Sequence, residues 1–378
     1  MLQSFAEVRA LAPEWDALLD RMPRPSPFLT WDWMETWWEE FGKASQPLVA
    51  VARNAGGELV GLAPLHVVRR RSWGLVETRT LEFIGYRGSS VCADHLDFLA
   101  LPAIRTELVQ ALVAALCRLP GWDAWDLADL AEDSPLPAAW RQARESSTAA
   151  LEPGEVCYFI CLPGSADQYW SEMRQHHART VANLGRDRRR LERRFQARFS
   201  VVRGPAAVAE TMDALARLHT AAHARRGESG NFARPAYRRF HDRLAARCDR
   251  QGMLYLARLD LDQRPAAVLY GFFRGGVLSF YQSGFDPSLS SDGVGRLLLA
   301  WVLEDAITRL HAREFDFLRG AEAYKEIWAA AAHHTRHWRG WRGNAAGRLA
   351  QLEWRTRRQL RRLRSWLGAR WRRPTVPA

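Results

Sequence analysis

The chain has 378 residues, enough for two domains, and its 47% hydrophobic and 25% charged content excludes a mostly disordered or fibrous protein. Of the net charge of +12, the stretch from Ala345 to Ala378 holds +9, as ten Arg against the single acid Glu353, which excludes a nucleic-acid-binding surface spread over the whole chain. No apolar run approaches the roughly 18 residues a membrane-spanning helix needs, and the acids near the start leave no room for a secretory leader, so a cytoplasmic protein is expected.

In chain order, the spacing predicts an amphipathic helix over 14–22, a Trp-rich helix over 30–42, and strands over 47–54 and 59–70 joined at Gly56-Gly57. Strand signals recur at 81–86 and 94–101, followed by a helix over 106–119 and a strand over 122–130. A Pro- and Ser-bearing connection closes at Pro153-Gly154. A strand then runs over 156–162, with helices over 179–198, 206–226 and 235–250. Three strands, 253–260, 266–273 and 277–284, follow in close order with turns at Asp262-Gln263 and Gly275-Gly276, which reads as an antiparallel meander. A loop then feeds an apolar helix over 294–310, a strand over 314–320, a short helix around Lys325 and a last strand over 334–342. The expected fold class is α/β (α+β): a lobe over 1–150, a second over 151–344, and a basic amphipathic tail over 345–378.

The five cysteines make no CxxC pair and His333, His334 and His337 have no companion ligands at metal spacing, so neither a disulfide framework nor a metal is expected. There is no HExxH, P-loop, GxSxG or dinucleotide fingerprint. Of 54 basic residues only Lys43 and Lys325 are lysine, which marks Lys325 as a position where a compact ammonium is wanted.

The segment SSDGVGRLLLAW enters its helix through two glycines. Backbone N–H groups at such a helix start point at a common spot, and glycine lets an anion approach closely, making Asp292, Gly293, Val294, Gly295 and Arg296 a candidate pyrophosphate cradle. Antiparallel strands, this loop, a helix and a further strand together resemble the coenzyme A-binding half of the GNAT acyltransferase superfamily. WDWMETWWEEFG, LVGLAPL, LEFIGY and ADHLDFL, then FYQSGFDPSLSSDGVGRLLL and EFDFLRGAEAYKEIW, resemble over roughly residues 1–342 the two-lobed GNAT proteins of cellulose and exopolysaccharide biosynthesis, relatives of the peptidoglycan-bridge aminoacyltransferases. The loop departs from the usual pattern at Ser290, where the superfamily carries Gln or Arg.

The resemblance implies tandem GNAT-like lobes and direct acyl transfer from acetyl-CoA or another acyl-CoA to an amine or hydroxyl. It implies Tyr281 beside the reacting carbonyl, Lys325 on a developing oxyanion or a phosphate, Glu322 as a conceivable base, and Arg179, Arg319 and Asp316 beside the acceptor. The implied acceptor is an anionic or lipid-linked glycan precursor. Two alternatives stand beside this: an aminoacyl-tRNA donor, and a non-catalytic scaffold for a membrane synthase. In the tail, Leu349, Leu352, Leu360, Leu363, Trp366, Leu367 and Trp371 gather on one side of a helix otherwise rich in Arg, which suits an anionic membrane surface better than RNA or its own domain. DNA is not an expected partner.

Overall fold

The computed structural model describes residues 1–86, 91–143, 148–329 and 331–371, with side chains through residue 364. The first half runs α1 (Phe5–Arg9), α2 (Ala12–Asp20), α3 (Trp31–Phe41), β1 (Gln46–Arg53), β2 (Leu59–Ser72), β3 (Val76–Phe83), the short β4 (Leu99–Ala100), α4 (Arg105–Arg118), β5 (Ala124–Leu130) and α5 (Leu136–Ala143). The second runs β6 (Thr148–Cys161), α6 (Ala166–Arg194), β7 (Ala197–Val201), α7 (Pro205–Ala224), α8 (Pro235–Arg250), β8 (Leu254–Leu261), β9 (Arg264–Arg274), β10 (Val277–Phe285), α9 (Val294–Thr308), β11 (Glu314–Arg319), α10 (Ala323–Trp328), β12 (Ala331–Trp341) and α11 (Ala345–Trp371).

The strands make one continuous mixed sheet in the order β1-β2-β3-β5-β12-β6-β11-β10-β9-β8-β7, with β4 on the side of β2. The last strand, β12, lies between β5 and β6, antiparallel to both. The expected meander over 253–284 is present as β8, β9 and β10, antiparallel in sequence. Two elements start earlier than their sequence signals: β6 at Thr148, because its first half pairs with β12, and α6 at Ala166, capped by the Ser165 hydroxyl and kinked at His177. Most of 94–101 is loop, with Leu99–Ala100 paired to β2 and Leu96 bridged to Leu130.

The hydrophobic core crosses between the halves. Phe28 and Trp33 of the first half pack edge-on against Phe272, and Trp33 also against Phe240 and Tyr281. The Trp33 indole N–H donates to the Gly85 carbonyl at 2.9 Å, so this large aromatic is buried without an orphaned donor. A second cluster fills the opposite face of β8–β11 under α9, whose Val294, Leu298, Val302 and Leu303 are buried.

Ion pairs line the seam. Arg239 and Arg247 of α8 hold Glu40 and Glu39 of α3, and Arg274 holds Asp20. Across the β5/β12 pairing, Asp126 receives Arg339 Nε at 3.0 Å and His337 Nε2 at 2.5 Å, with Arg70 close by. Burial pushes the Asp126 carboxyl up, but His337, Arg339 and Arg70 outweigh it and hold it down to about 2. An aspartate in the unfolded chain titrates near 3.9, so Asp126 adds stability above that pH and loses it as pH falls through about 2. Asp126→Asn is expected to lower stability by up to about 2 kcal/mol at pH 7. The gap from wild type should narrow as pH falls from 4 to 2; a gap independent of pH in urea titrations would contradict this.

Candidate active site

β10 and β11 are parallel neighbours only from Val277–Ser279 against Glu314–Asp316. Beyond that they part, and each is locally irregular: β10 bulges at Tyr281, and β11 turns through Leu318, whose φ of +56° is strained for a leucine. Two cavities adjoin at the opening, sharing Phe280, Ser283, Gly284, Phe285 and Tyr324 in their walls.

The smaller cavity, about 290 Å³, lies along the meander and reaches the start of α9 at Gly293, Val294, Gly295 and Arg296. Gly293 is the residue before the first turn and has φ +70°, which glycine alone adopts without cost. A Cβ on Gly295 would meet nothing nearer than Phe285 at 3.5 Å, so its lack of a side chain keeps the cleft open and is not a packing need. Asp292 makes no side-chain cap on α9. Its buried carboxylate instead holds Arg194 Nη1 at 2.6 Å and Arg190 Nε at 3.2 Å. Arg296 pairs with Asp187 at 2.6 Å. Three guanidiniums therefore surround a helix start whose N–H groups already favour an anion, two of them delivered by α6.

The larger cavity, about 670 Å³, draws Cys92 and Asp94 from the first half and the rest from the second. Lys325 is 4% exposed, and its ammonium contacts the Arg319 carbonyl at 2.7 Å, the Leu318 carbonyl at 3.4 Å and Glu322 Oε2 at 2.9 Å. The turn at Leu318 aims those carbonyls. The Tyr281 hydroxyl is buried beside Tyr237 without meeting hydrogen-bond geometry, and burial pushes its phenol well above the usual range, so it stays protonated.

Arg319 lines the larger cavity and Asp316 lines neither, and both are committed to ion pairs. Arg319 binds Asp94 Oδ1 at 2.5 Å, Asp129 Oδ2 at 2.7 Å and the Ala93 carbonyl at 2.7 Å. Asp316 accepts from Arg24 at 2.8 Å, His95 Nε2 at 3.0 Å and the Leu318 N–H at 2.8 Å. Both join the halves, and neither has capacity left for a substrate. Arg179 lies exposed on α6 just past the kink and lines neither cavity.

Sequence reasoning missed His219, His223 and Glu228, all in the wall of the larger cavity. His219 and His223 sit one turn apart on α7, rings 4.3 Å apart, and His223 Nδ1 meets Glu228 at 2.7 Å. Burial, helped by His223 and Arg226, pulls the His219 pKa down to about 4, and its Nδ1 has no partner among the described residues. The four-residue spacing in LHTAAHARRG was the available signal, and only the cavity distinguishes it from a packed helix face.

Residues 178–326, which span the start of α9, Tyr281 and Lys325, match the family model of the acetyltransferase (GNAT) domain. Over these residues the chain is similar to a GNAT domain. Its structure is similar to that of FemX, at 11% identity and a TM-score of 0.59 over 86% of this chain and 95% of that one. It also resembles a conserved protein of unknown function from Bacteroides thetaiotaomicron, at 10% identity and a TM-score of 0.49 over 88% and 97% of the two chains. A tandem GNAT protein from the clavulanic acid biosynthesis pathway matches at 15% identity and a TM-score of 0.43 over 90% and 96%. At 11% identity the likeness to FemX is one of fold. No curated protein matches the chain.

Arg319 compensates two buried carboxylates, so Arg319→Ala is expected to destabilise the protein by about 3 kcal/mol or more. Arg296→Ala, which removes a half-exposed guanidinium from Asp187, is expected to cost under about 1 kcal/mol. Urea denaturation of the two variants should show this order; equal losses would mean that Arg319 is not the clamp.

Proposed function

We propose that the protein transfers an acyl group from a coenzyme A thioester to an amine or hydroxyl of an anionic acceptor, in the manner of envelope or exopolysaccharide precursor modification. The observation that carries this reading is the meeting of the two cavities where β10 and β11 part. One cavity ends at an anion-favouring helix start, and the other holds an ammonium, a protonated phenol and a neutral imidazole.

In this reading the donor's pyrophosphate lies on the N–H groups of Val294, Gly295 and Arg296, with Arg190, Arg194 and Arg296 answering its charge. The guanidiniums from α6 take the place of the loop cation missing at Ser290. The pantetheine arm runs beside β10 to the opening. The acceptor nucleophile attacks the thioester carbonyl and passes its proton to His219, whose neutral ring keeps a lone pair at physiological pH. The carbonyl oxygen gains negative charge in the tetrahedral intermediate, and the Lys325 ammonium stabilises it once Glu322, 57% exposed, swings away. Collapse expels the coenzyme A thiolate, which accepts a hydrogen bond from Tyr281 and takes the proton held by His219. Arg226 at the cavity wall supplies a cation for the acceptor's anionic group.

An acyl-CoA should bind the wild-type protein in calorimetry. Gly295→Val should weaken it tenfold or more, about 1.4 kcal/mol, while leaving the melting temperature nearly unchanged, because the new side chain fills the cleft and meets only Phe285. Wild-type protein that ignores acyl-CoA but binds aminoacyl-tRNA tightly would replace this donor by the aminoacyl ester.

We further infer that α11 lies on an anionic membrane surface. No described helix is long and apolar enough to cross a membrane. Trp354 of α11 packs against Trp341 at 4.9 Å and Arg358 pairs with Glu152, while Leu352, Leu360 and Leu363 remain exposed. Trp366, Leu367 and Trp371 lie outside the described side chains. The docked Trp354 leaves the leucines facing outward, where arginines near an anionic bilayer add about 1 kcal/mol each. A chain ending at Asn344 should lose sedimentation with anionic liposomes at low salt yet still bind acyl-CoA; retained sedimentation would locate the affinity elsewhere.

A further inference from the structure

At the seam of the two halves, three side chains from distant parts of the sequence converge. His333 of β12 stands directly opposite Cys157 of β6 in the antiparallel pairing, which sets the two side chains beside each other on one face of the sheet. His95, on the loop between β3 and β4, brings its ring to 4.7 Å from that of His333. One ring nitrogen of each histidine and the Cys157 sulfur all lie within 4.8 Å of one another.

Three further observations set this cluster apart from an ordinary packed seam. His333 Nε2 is buried and has no hydrogen-bond partner among the described residues, an uncompensated loss that a cation or its bound water would remove. His95 is held at φ +56°, a strained backbone for a non-glycine residue, and its Nε2 faces Asp316 at 3.0 Å. That contact orients the ring and, with Nε2–H donating, leaves the Nδ1 lone pair free, the carboxylate–histidine arrangement that supports metal ligands. Cys157 is buried and in no disulfide, so its sulfur meets the two imidazoles as a free thiol.

We propose that His95, Cys157 and His333 bind a borderline-soft divalent transition metal of the zinc class, with Asp316 as the hydrogen-bond acceptor behind His95. Two imidazoles and a thiolate match that metal class and exclude magnesium and calcium, which need oxygen ligands. Around a tetrahedral ion with Zn–N of about 2.0 Å and Zn–S of about 2.3 Å, the donor atoms stand roughly 3.5 Å apart. Small side-chain rotations close the cluster from its present spacing. Binding releases the thiol proton to solvent, and the fourth position takes water. The ion would tie the 91–98 loop of the first half to β6 and β12.

The test uses the full chain, stripped with chelator and titrated with cobalt(II) as an optical stand-in for zinc. The expected result is one ion per chain, with tetrahedral visible bands, a sulfur-to-cobalt charge-transfer band and a raised melting temperature. Cys157→Ser should abolish the charge-transfer band, and His333→Gln should weaken binding at least tenfold. His333 is only partly buried, so its variant is expected to fold even if Cys157→Ser does not, and far-UV circular dichroism checks both. His223→Gln, beside the other histidine–carboxylate group, should bind cobalt like wild type. No binding by the stripped protein at micromolar cobalt overturns the proposal. So does a thiolate band that survives Cys157→Ser in a folded protein, or binding unchanged by His333→Gln.

Discussion

Buried carboxylates along the seam have to be compensated, and this constraint organises the molecule. Asp94 and Asp129 come from the first half and Asp316 from the second, and each is below a tenth exposed. Leaving any of them unpaired would cost several kcal/mol, so the opposite half must supply a cation to each. Arg319 reaches back to Asp94 and Asp129, while Arg24 and His95 reach forward to Asp316. The reciprocal traffic fixes the halves against each other and holds the walls of the larger cavity in register.

The same pairings explain the geometry of the candidate site. Arg319 is held at its guanidinium by Asp94 and at its backbone N–H by the same carboxylate, which stabilises the strained turn at Leu318. That turn points two carbonyls at Lys325, so the buried ammonium has acceptors besides Glu322. A residue that looks like acceptor-binding machinery thus acts one step removed, by positioning the lysine that faces the cavity.

What could be read from the sequence was local. The meander is legible because alternation and the Asp262-Gln263 and Gly275-Gly276 turns are all contained within about thirty residues. The start of α9 is legible from its glycines, and Lys325 from the scarcity of lysine. Arg319 and Asp316 can be placed on one strand from the sequence, but their saturation depends on Asp94, His95 and Arg24, more than two hundred residues away. Asp292 looks like a helix cap in isolation and is an ion-pair partner only once α6 is laid across it. The convergence of His95, Cys157 and His333 has no local pattern at all, since it follows from the register of β12 on β6.

The placement of β12 also bears on how the chain is made. Both β5 and β6 keep an unpaired edge until residues 331–341 arrive between them. During synthesis those edges remain open while some two hundred further residues are translated after β5, an interval of roughly 10 to 40 s at about 5 to 20 residues per second. Nascent chains therefore pass through a stage with two exposed strand edges flanking a Trp-rich core, a form prone to edge-to-edge association. A chain that stops before Ala331 lacks the strand that joins β5 to β6, so its sheet stays in two separate parts.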